Sequence, residues 1–197
     1  MNHSKKIEPE MLLQAYQMGL FPMADEDESG EEQIGWYSPD PRGVIPLDGF
    51  HIPHGLKRSL KKKEYEIRMD TAFSTVIEKC ADRTETWISS GIQSSYIRLH
   101  ELGWAHSVES WYEGKLAGGL YGVSIGGVFF GESMFSRRTD ASKVALVHLV
   151  AHLREKGFVL LDTQWLNSHL KQFGCIEIPR DQYMAELESA LQAEGKF

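Results

Sequence analysis

The sequence predicts a mixed α/β (α+β) fold: a small N-terminal subdomain, residues 1–44, precedes a domain with a central, largely antiparallel sheet, residues 45–197. Three observations predict it. Strand-like segments follow one another over 105–136, and a tight Gly126-Gly127 turn joins the last two. An amphipathic helix and a short apolar strand, "FVLLDTQ", come next. The chain before residue 54 is instead interrupted by prolines and glycines.

The N-terminal segment begins with a predicted helix in "PEMLLQAYQMGLFP". Leu12, Ala15 and Tyr16 have helical spacing, and Gly19 ends the pattern. The later stretch "IGWYSPDPRGVIPLDGFHIP" contains four prolines and three glycines. Regular structure is therefore not expected to persist there, and the stretch should wrap over another surface of the protein.

The elements of the larger domain follow from local pattern. "HGLKRSLKK" predicts a helix, "EYEIRMD" a strand, and "TAFSTVIEKCAD" and "IQSSYIRLHEL" two more helices. After the central strands, "TDASKVALVHLVAHLREKG" predicts a helix capped by Thr139 or Asp140 and ended by Gly157. The C-terminal piece predicts helix, short strand and helix.

The sequence shows no pattern of a membrane or secreted protein. No apolar run approaches the roughly 20 residues that span a bilayer, and no signal-peptide pattern precedes the first helix. We therefore expect a cytoplasmic protein without a membrane partner. Cys80 and Cys175 lie far apart without metal-ligand spacing and are expected to be free, buried thiols.

The net charge of -7 depends on an acidic run at residues 25–32. Without that run the acidic and basic residues nearly balance. A basic cluster follows in the chain, and it consists of Lys57, Arg58, Lys61, Lys62 and Lys63. It is either a solvated helix end or a patch that binds phosphates, and the pattern leaves both open.

Some motifs point to chemistry that their context does not support. His148 and His152 form His-x-x-x-His, but Leu149 stands where a zinc protease needs its glutamate, so no metal site is predicted. Ser124 in "GVSIG" precedes a hairpin rather than a helix, which argues against a nucleophilic serine. The glycines of "GGLYG" indicate either a ligand cradle or strand curvature.

The polar residues Asp162, Gln164 and Glu132 are more informative. Asp162 and Gln164 are two apart on a predicted buried strand, so both would face the same way. A carboxylate there is either paired inside the protein or caps the next helix. Glu132, in "GESMFS", points either to solvent or into a cavity. Nearby aromatic and apolar residues are either core or the lining of an apolar pocket.

Several stretches together resemble the leucyl/phenylalanyl-tRNA–protein transferases. They are "LLQAYQMGLFP", "WYSPDPRGVIP", "TWIS", "YIRLHELGWAHSVESW", "LAGGLYGVSIGGVFFGESMFS", "ASKVAL" and "LLDTQ", with "HL" and "FGCIEIPR" after it. The resemblance implies an N-acetyltransferase-like C-terminal domain. It also implies transfer of Leu or Phe from aminoacyl-tRNA to proteins with N-terminal Arg or Lys, which marks them for degradation. Because aminoacyl-tRNA is already activated, no metal, cofactor or ATP is expected. Met23 stands where relatives carry tryptophan, a change that bears on the amino-acid preference.

By the same resemblance, Asp162 and Gln164 are the expected catalytic residues. The expected substrate-binding residues are Glu132, Trp87, Leu120, Met134, Phe135, Trp36 and Ser133. The expected tRNA-binding residues are the basic cluster together with Arg137 and Lys143. The expected partners are the 3′ end of aminoacyl-tRNA and an acceptor protein, bound by a monomer. One alternative is an acyl-CoA N-acetyltransferase, but such an enzyme needs a glycine-containing loop where this sequence has "SRRTDASK". The other alternative is a non-catalytic tRNA- or degron-binding module.

Overall fold

The computed structural model describes residues 6–26 and 31–197. Part of the acidic run, residues 27–30, lies outside them. Within the described part of the chain, every helix is too short or too polar to cross a bilayer.

The helices of the described chain are α1 (Pro9–Gln17), α2 (His54–Lys62), α3 (Phe73–Ala81), α4 (Ser90–Glu101), α5 (Ala141–Glu155), α6 (Ser168–Lys171) and α7 (Arg180–Leu191). The strands are β1 (Phe21–Glu26), β2 (Glu32–Tyr37), β3 (Arg42–Ile45), β4 (Glu66–Met69), β5 (Ala105–Tyr112), β6 (Lys115–Ile125), β7 (Val128–Ser136), β8 (Leu160–Gln164) and β9 (Ile176–Ile178). The mixed α/β prediction is confirmed, and so are the predicted elements after residue 54.

One large sheet organises the molecule. Its seven strands have the order β4-β5-β6-β7-β8-β3-β9. Every neighbouring pair is antiparallel except β7 and β8, which are parallel. The predicted tight turn joins β6 to β7, with Gly126 at φ +54°, a conformation that favours glycine.

Helices cover both faces of this sheet. Side chains alternate between two core clusters along each strand, so that Leu120 and Phe129 belong to one while Tyr121 and Phe130 belong to the other. Helices α1, α3, α4 and α7 pack on the face of Tyr121, and α2, α5 and α6 pack on the opposite face.

The expectation of irregular structure before residue 54 was wrong for β2 and β3, although Phe50 and Ile52 do pack over a core cluster as expected. Strands β1 and β2 form a separate hairpin, and β3 enters the large sheet between β8 and β9. Backbone pairing on both edges of β3 outweighs the local preference of a segment rich in proline and glycine. Strand β3 crosses the proposed domain boundary at residue 44.

The predicted cap of α5 is confirmed in position but not in contact. Asp140 is the N-cap residue, but its side chain makes no capping hydrogen bond, and Ser136 Oγ accepts one at 3.3 Å from the N–H of Ser142 in the first turn. The Asp140 carboxylate instead accepts a hydrogen bond from Ser59 Oγ at 2.7 Å and pairs with Lys143 Nζ at 3.1 Å. It therefore links α2 to the start of α5.

Candidate active site

The parallel strands β7 and β8 separate and leave a gap in the sheet. They pair only from Val128 to Phe130, opposite Leu160 to Asp162. A cavity of about 230 Å³ opens beyond the last pair. It is lined by side chains from both core clusters, as expected for a cavity within a gap in the sheet.

A β-bulge turns Glu132 toward this cavity. Tyr121 pairs with Ser133 and Gly122 pairs with Gly131, so Glu132 is an extra residue in β7 without a partner in β6. Bulges interrupt the regular alternation of side chains and redirect them. The sequence alone left Glu132 between solvent and cavity, and the structure places it in the cavity wall.

The Glu132 carboxylate is held by hydrogen bonds from different parts of the chain. Tyr16 Oη donates to Oε1 at 2.7 Å, and Tyr96 Oη donates to Oε2 at 3.3 Å. The two phenol oxygens also contact each other. Gln164 Nε2 donates to Oε1 at 3.1 Å from the other side of the gap. Since each carboxylate oxygen accepts more than one hydrogen bond, Oε2 retains capacity for a ligand.

Burial raises the pKa of Glu132 to about 7, from an ordinary value of 4.5. The hydrogen bonds from Tyr16 and Tyr96 oppose this rise, and the charge of Asp162 adds to it. The stability that the tightly held proton contributes is present below pH 4.5 and is lost as the pH rises to about 7. Glu132 can thus gain or lose a proton near neutral pH.

Asp162 lies beneath the cavity and is completely buried. Arg42 Nε and Nη2 donate to its two carboxylate oxygens at 3.0 and 2.6 Å, and Tyr183 Oη donates at 2.8 Å. Between the two interpretations of Asp162, the structure shows the buried, paired carboxylate rather than a helix cap. Since its oxygens are occupied by donors, Asp162 is a positioning residue in this arrangement.

Gln164 connects the two carboxylates. Its backbone N–H donates to Asp162 Oδ1 at 2.8 Å, while its side chain reaches Glu132. Its φ is +59°, in the left-handed region that costs energy for a residue with a side chain. The buried Arg42–Asp162 pair therefore helps to hold Gln164 in a strained conformation at the cavity.

The structure brings together most of the predicted substrate-binding residues. Those that line the cavity are Trp87, Leu120, Glu132, Ser133 and Met134, along with Gln164. Phe135 and Trp36 do not line it, contrary to prediction. Phe135 follows Met134 in β7 and packs into the opposite core cluster, and Trp36 lies on the β1–β2 hairpin with 36% of its surface exposed.

Several contributors were not found by sequence reasoning. Tyr16, Arg42 and Tyr96 supply the hydrogen bonds described above, and Arg83 lines the cavity beside Ser133. Arg42 was detectable in part, because a buried carboxylate such as the predicted Asp162 is commonly paired with a cation. The remaining three carry no local signal, since their partners are distant in sequence.

The glycines of β6 contact protein rather than a ligand. A Cβ atom on Gly122 would lie 2.2 Å from the oxygen of Phe130, and one on Gly118 would lie 2.7 Å from Cβ of Ala141 in α5. These close approaches to protein atoms do not support the ligand cradle, and they give close packing rather than curvature alone as the reason for glycine.

The basic cluster on α2 joins a second set of cations. Tyr65 Oη donates to the backbone oxygen of Thr139 at 2.7 Å, and a surface groove is shared by Lys62, Arg137 and Arg138. We call Lys57, Arg58, Lys61, Lys62, Lys63, Arg137, Arg138 and Lys143 the basic surface. These side chains are exposed, except that Lys143 is half-buried beside Asp140.

Replacing Tyr16 with Phe is expected to shift the proton affinity of Glu132. Burial, followed by the charge of Glu132, raises the pKa of Tyr16 well above 10.0, so its hydroxyl remains a donor. Loss of this donor should raise the pKa of Glu132 further above 7, since the hydrogen bond favours the charged carboxylate. The carboxyl ¹³C chemical shift of Glu132, titrated by NMR and assigned with Glu132→Gln, measures it.

Tyr121→Phe is the matched control for that titration. Tyr121 is equally buried beside Glu132, but its hydroxyl has no hydrogen-bond partner among the residues described. Its substitution should leave the pKa of Glu132 nearly unchanged. Equal shifts in both variants would contradict a specific role for the Tyr16 hydrogen bond.

Comparisons with known proteins point to the same family over nearly the whole chain. A family model described as leucyl/phenylalanyl-tRNA protein transferase matches residues 44–188, and the model of that family's N-terminal domain matches residues 5–40. A protein of Gloeobacter violaceus named leucyl/phenylalanyl-tRNA–protein transferase is 56% identical over 189 residues, 96% of both chains.

Two further relatives carry the same name. One, from Akkermansia muciniphila, is 56% identical over 194 residues and is aligned over 96% of this chain and 98% of its own. The other, from Salinibacter ruber, is 54% identical over 183 residues, covering 93% of this chain and 80% of its own.

Proposed function

Because the chain belongs to the leucyl/phenylalanyl-tRNA–protein transferase family, we propose that it transfers Leu or Phe from aminoacyl-tRNA to the N-terminal amine of proteins that begin with Arg or Lys. The observation that carries the proposal is the pair of polar side chains, Glu132 and Gln164, that face a largely apolar cavity across the gap between β7 and β8.

The reaction is aminolysis of an ester. The acceptor nitrogen attacks the carbonyl carbon of the aminoacyl group, an N–C bond forms, and the C–O bond to the terminal ribose breaks. The proton that leaves the amine balances the negative charge on the ribose oxygen. Alignment of two bound substrates supplies much of the acceleration in reactions of this type.

Glu132 is the proposed proton acceptor and anchor for the attacking amine. A free α-amine has a pKa of about 7.7–8.0, so a carboxylate whose pKa is about 7 is matched to receive its proton. Gln164, which contacts Glu132, would orient the ester or the oxyanion that develops from it. Asp162 would act indirectly by fixing the backbone of Gln164.

The apolar part of the cavity suits a Leu or Phe side chain. Its wall on the α5 face is formed by Leu120, Met134, Leu146, Leu149, Leu161 and Leu170. An apolar group gains about 25 cal/mol for each Å² that it removes from water. The side chain of the aminoacyl group would enter this part, with its ester directed toward Glu132 and Gln164.

Transfer of labelled Leu or Phe from charged tRNA to a peptide with N-terminal Arg tests the proposed function. The same peptide with an acetylated N-terminus is the control, since it has no free amine. We expect transfer to the free peptide only. Absence of transfer to peptides with N-terminal Arg or Lys would overturn the proposal.

The basic surface is the proposed contact for the phosphates of the tRNA acceptor stem. Changing Lys61, Lys62 and Lys63 together to Glu should raise KM for aminoacyl-tRNA and flatten its dependence on salt. Each phosphate contact contributes about 0.7–0.9 to the slope of log affinity against log salt. The measurement is KM for aminoacyl-tRNA over a series of salt concentrations.

A charge-matched control separates local contact from net charge. Lys156, Lys171 and Lys196 are exposed and lie outside the basic surface, so their change to Glu alters the net charge equally. Their variant should show a much smaller change in KM and an unaltered salt slope. Identical behaviour of the two variants would contradict a localised tRNA contact.

We also propose that the chain acts as a monomer in the cytoplasm, where charged tRNA is present. Cys80 and Cys175 are both buried free thiols, which fits a reducing compartment.

A further inference from the structure

Trp165 is an exposed aromatic residue at the cavity. It directly follows Gln164, lines the cavity, and has 44% of its surface exposed. A large exposed indole next to a reacting centre is available to a ligand that enters this centre.

The position of Trp165 is well determined despite its exposure. Its ring meets the buried ring of Phe21 edge to face, with centroids 5.0 Å apart. Its backbone packs directly against Gly43 in β3, where an added Cβ atom would lie 2.6 Å from the carbonyl carbon of Trp165. The indole is therefore a preorganised surface rather than a loosely attached side chain.

A cation, Arg83, lies where β7 borders the cavity. Arg83 Nη2 donates to Ser133 Oγ at 3.2 Å, and it also contacts the backbone oxygen of Met134. Its neighbour Asp82 lies 3.7 Å from Arg137 of the basic surface. Arg83 therefore lies between the cavity and the basic surface, with the acidic Asp82 paired to Arg137 beside it.

The two cavity tryptophans differ in exposure. Trp165 has 44% of its surface exposed, whereas Trp87 is half-buried, packs against a core cluster and accepts a backbone hydrogen bond from Ala24 in β1. Among the residues that the structure describes, no Lys or Arg stacks on Trp165, whereas Arg68 covers Trp111 at 4.5 Å. The exposed part of the Trp165 indole is thus not covered by a cation of the described chain.

The reaction places the acceptor side chain near the reacting centre. The first residue of the acceptor carries the attacking amine, and its side chain is only two bonds from that nitrogen. The side chain must therefore lie close to Gln164 and Glu132. If the phosphates of the aminoacyl-tRNA lie on the side of Arg83, the side of Phe21 and Trp165 is left for the acceptor.

We propose that the indole of Trp165 binds the cationic side chain of the acceptor's N-terminal residue through a cation–π contact. This inference rests on the proposed function, because it assumes an acceptor with N-terminal Arg or Lys. Trp is the strongest aromatic partner for a guanidinium or ammonium group. Trp165 would therefore help to determine acceptor specificity.

The test compares Trp165→Leu and Trp165→Phe with the wild type on three peptides that differ only in the first residue: Arg, its uncharged analogue citrulline, and Ala. KM for each peptide is measured at saturating aminoacyl-tRNA, and KM for aminoacyl-tRNA is measured at saturating peptide. Trp104→Leu is the matched control, since Trp104 is 39% exposed and does not line the cavity.

We expect Trp165→Leu to raise KM for the Arg peptide roughly three- to tenfold. Trp165→Phe should restore part of the loss, because a phenyl ring is a weaker cation partner. KM for the citrulline peptide and KM for aminoacyl-tRNA should change little, and Trp104→Leu should resemble the wild type.

Equal losses with Arg and citrulline peptides would overturn the inference, because they would indicate a contact that does not depend on charge. A change confined to KM for aminoacyl-tRNA would overturn it in favour of base stacking. If the wild type modifies the Arg peptide but the Trp165 variants behave identically, only this inference fails. If the wild type modifies neither Arg nor Lys peptides, the proposed function fails as well.

Discussion

Replacing Glu132 with Gln is expected to lower kcat for aminoacyl transfer by about a hundredfold or more. A positioned proton acceptor contributes typically about 10²–10⁴ to rate, and glutamine has no carboxylate to receive a proton. The substitution keeps the shape of the side chain and an oxygen that accepts from Tyr16. Single-turnover rates with saturating aminoacyl-tRNA and Arg peptide measure the effect.

The fall in kcat of Glu132→Gln should occur without a fall in stability. At pH 8 the wild-type carboxylate is charged although burial raises its pKa to about 7, so removing that charge should maintain or increase Tm. Glu109→Gln is the matched control. Glu109 is a fully buried carboxylate in β5 that accepts hydrogen bonds from Ser107 and Trp111, outside the cavity. Its variant should be less stable yet turn over normally when folded. Normal turnover by Glu132→Gln would refute its role.

Breaking the buried ion pair of Arg42 and Asp162 is expected to have the largest effect on stability. Both side chains are completely inaccessible to solvent. Arg42→Met leaves the Asp162 charge buried without its partner, a change that typically costs about 3–5 kcal/mol. For a chain of this length the cost corresponds to a fall in Tm of roughly 10 °C, measured by thermal unfolding.

The double variant Arg42→Met with Asp162→Leu distinguishes an unpaired charge from lost packing. The Cζ atom of Arg42 also lies over the rings of Phe21 and Tyr183, at 5.1 and 4.4 Å from their centroids. Some of the stability lost in Arg42→Met will therefore not be recovered. Apolar replacement of both partners should nevertheless recover much of the stability lost in Arg42→Met. A double variant that is less stable than either single variant would contradict this account.

Much of the fold was predictable because its elements depend on local periodicity. The alternation in β6 and β7, the Gly126 turn and the apolar stripe of α5 are contained within short segments. Strand β3 was missed because its pairing comes from β8 and β9, more than 100 positions later in the chain. Local propensity does not report such pairing.

The site was predictable only in part, for the same reason. Glu132 and Gln164 stand in distinctive motifs, whereas their arrangement depends on distant partners. Tyr16 lies 116 positions from Glu132, and Arg42 lies 120 positions from Asp162. The bulge that inserts Glu132 is also a property of pairing between strands. No periodicity within one segment indicates these contacts.

The pH dependence of single-turnover transfer, at saturating substrates, tests most directly whether the Glu132 carboxylate is the reacting centre. The wild type should gain activity as the pH rises through about 7, the pKa of Glu132. In Glu132→Gln that limb should disappear, leaving a slow reaction that follows an acceptor amine with a pKa of about 7.7–8.0. A limb near pH 7 that persists unchanged in the variant would contradict the account.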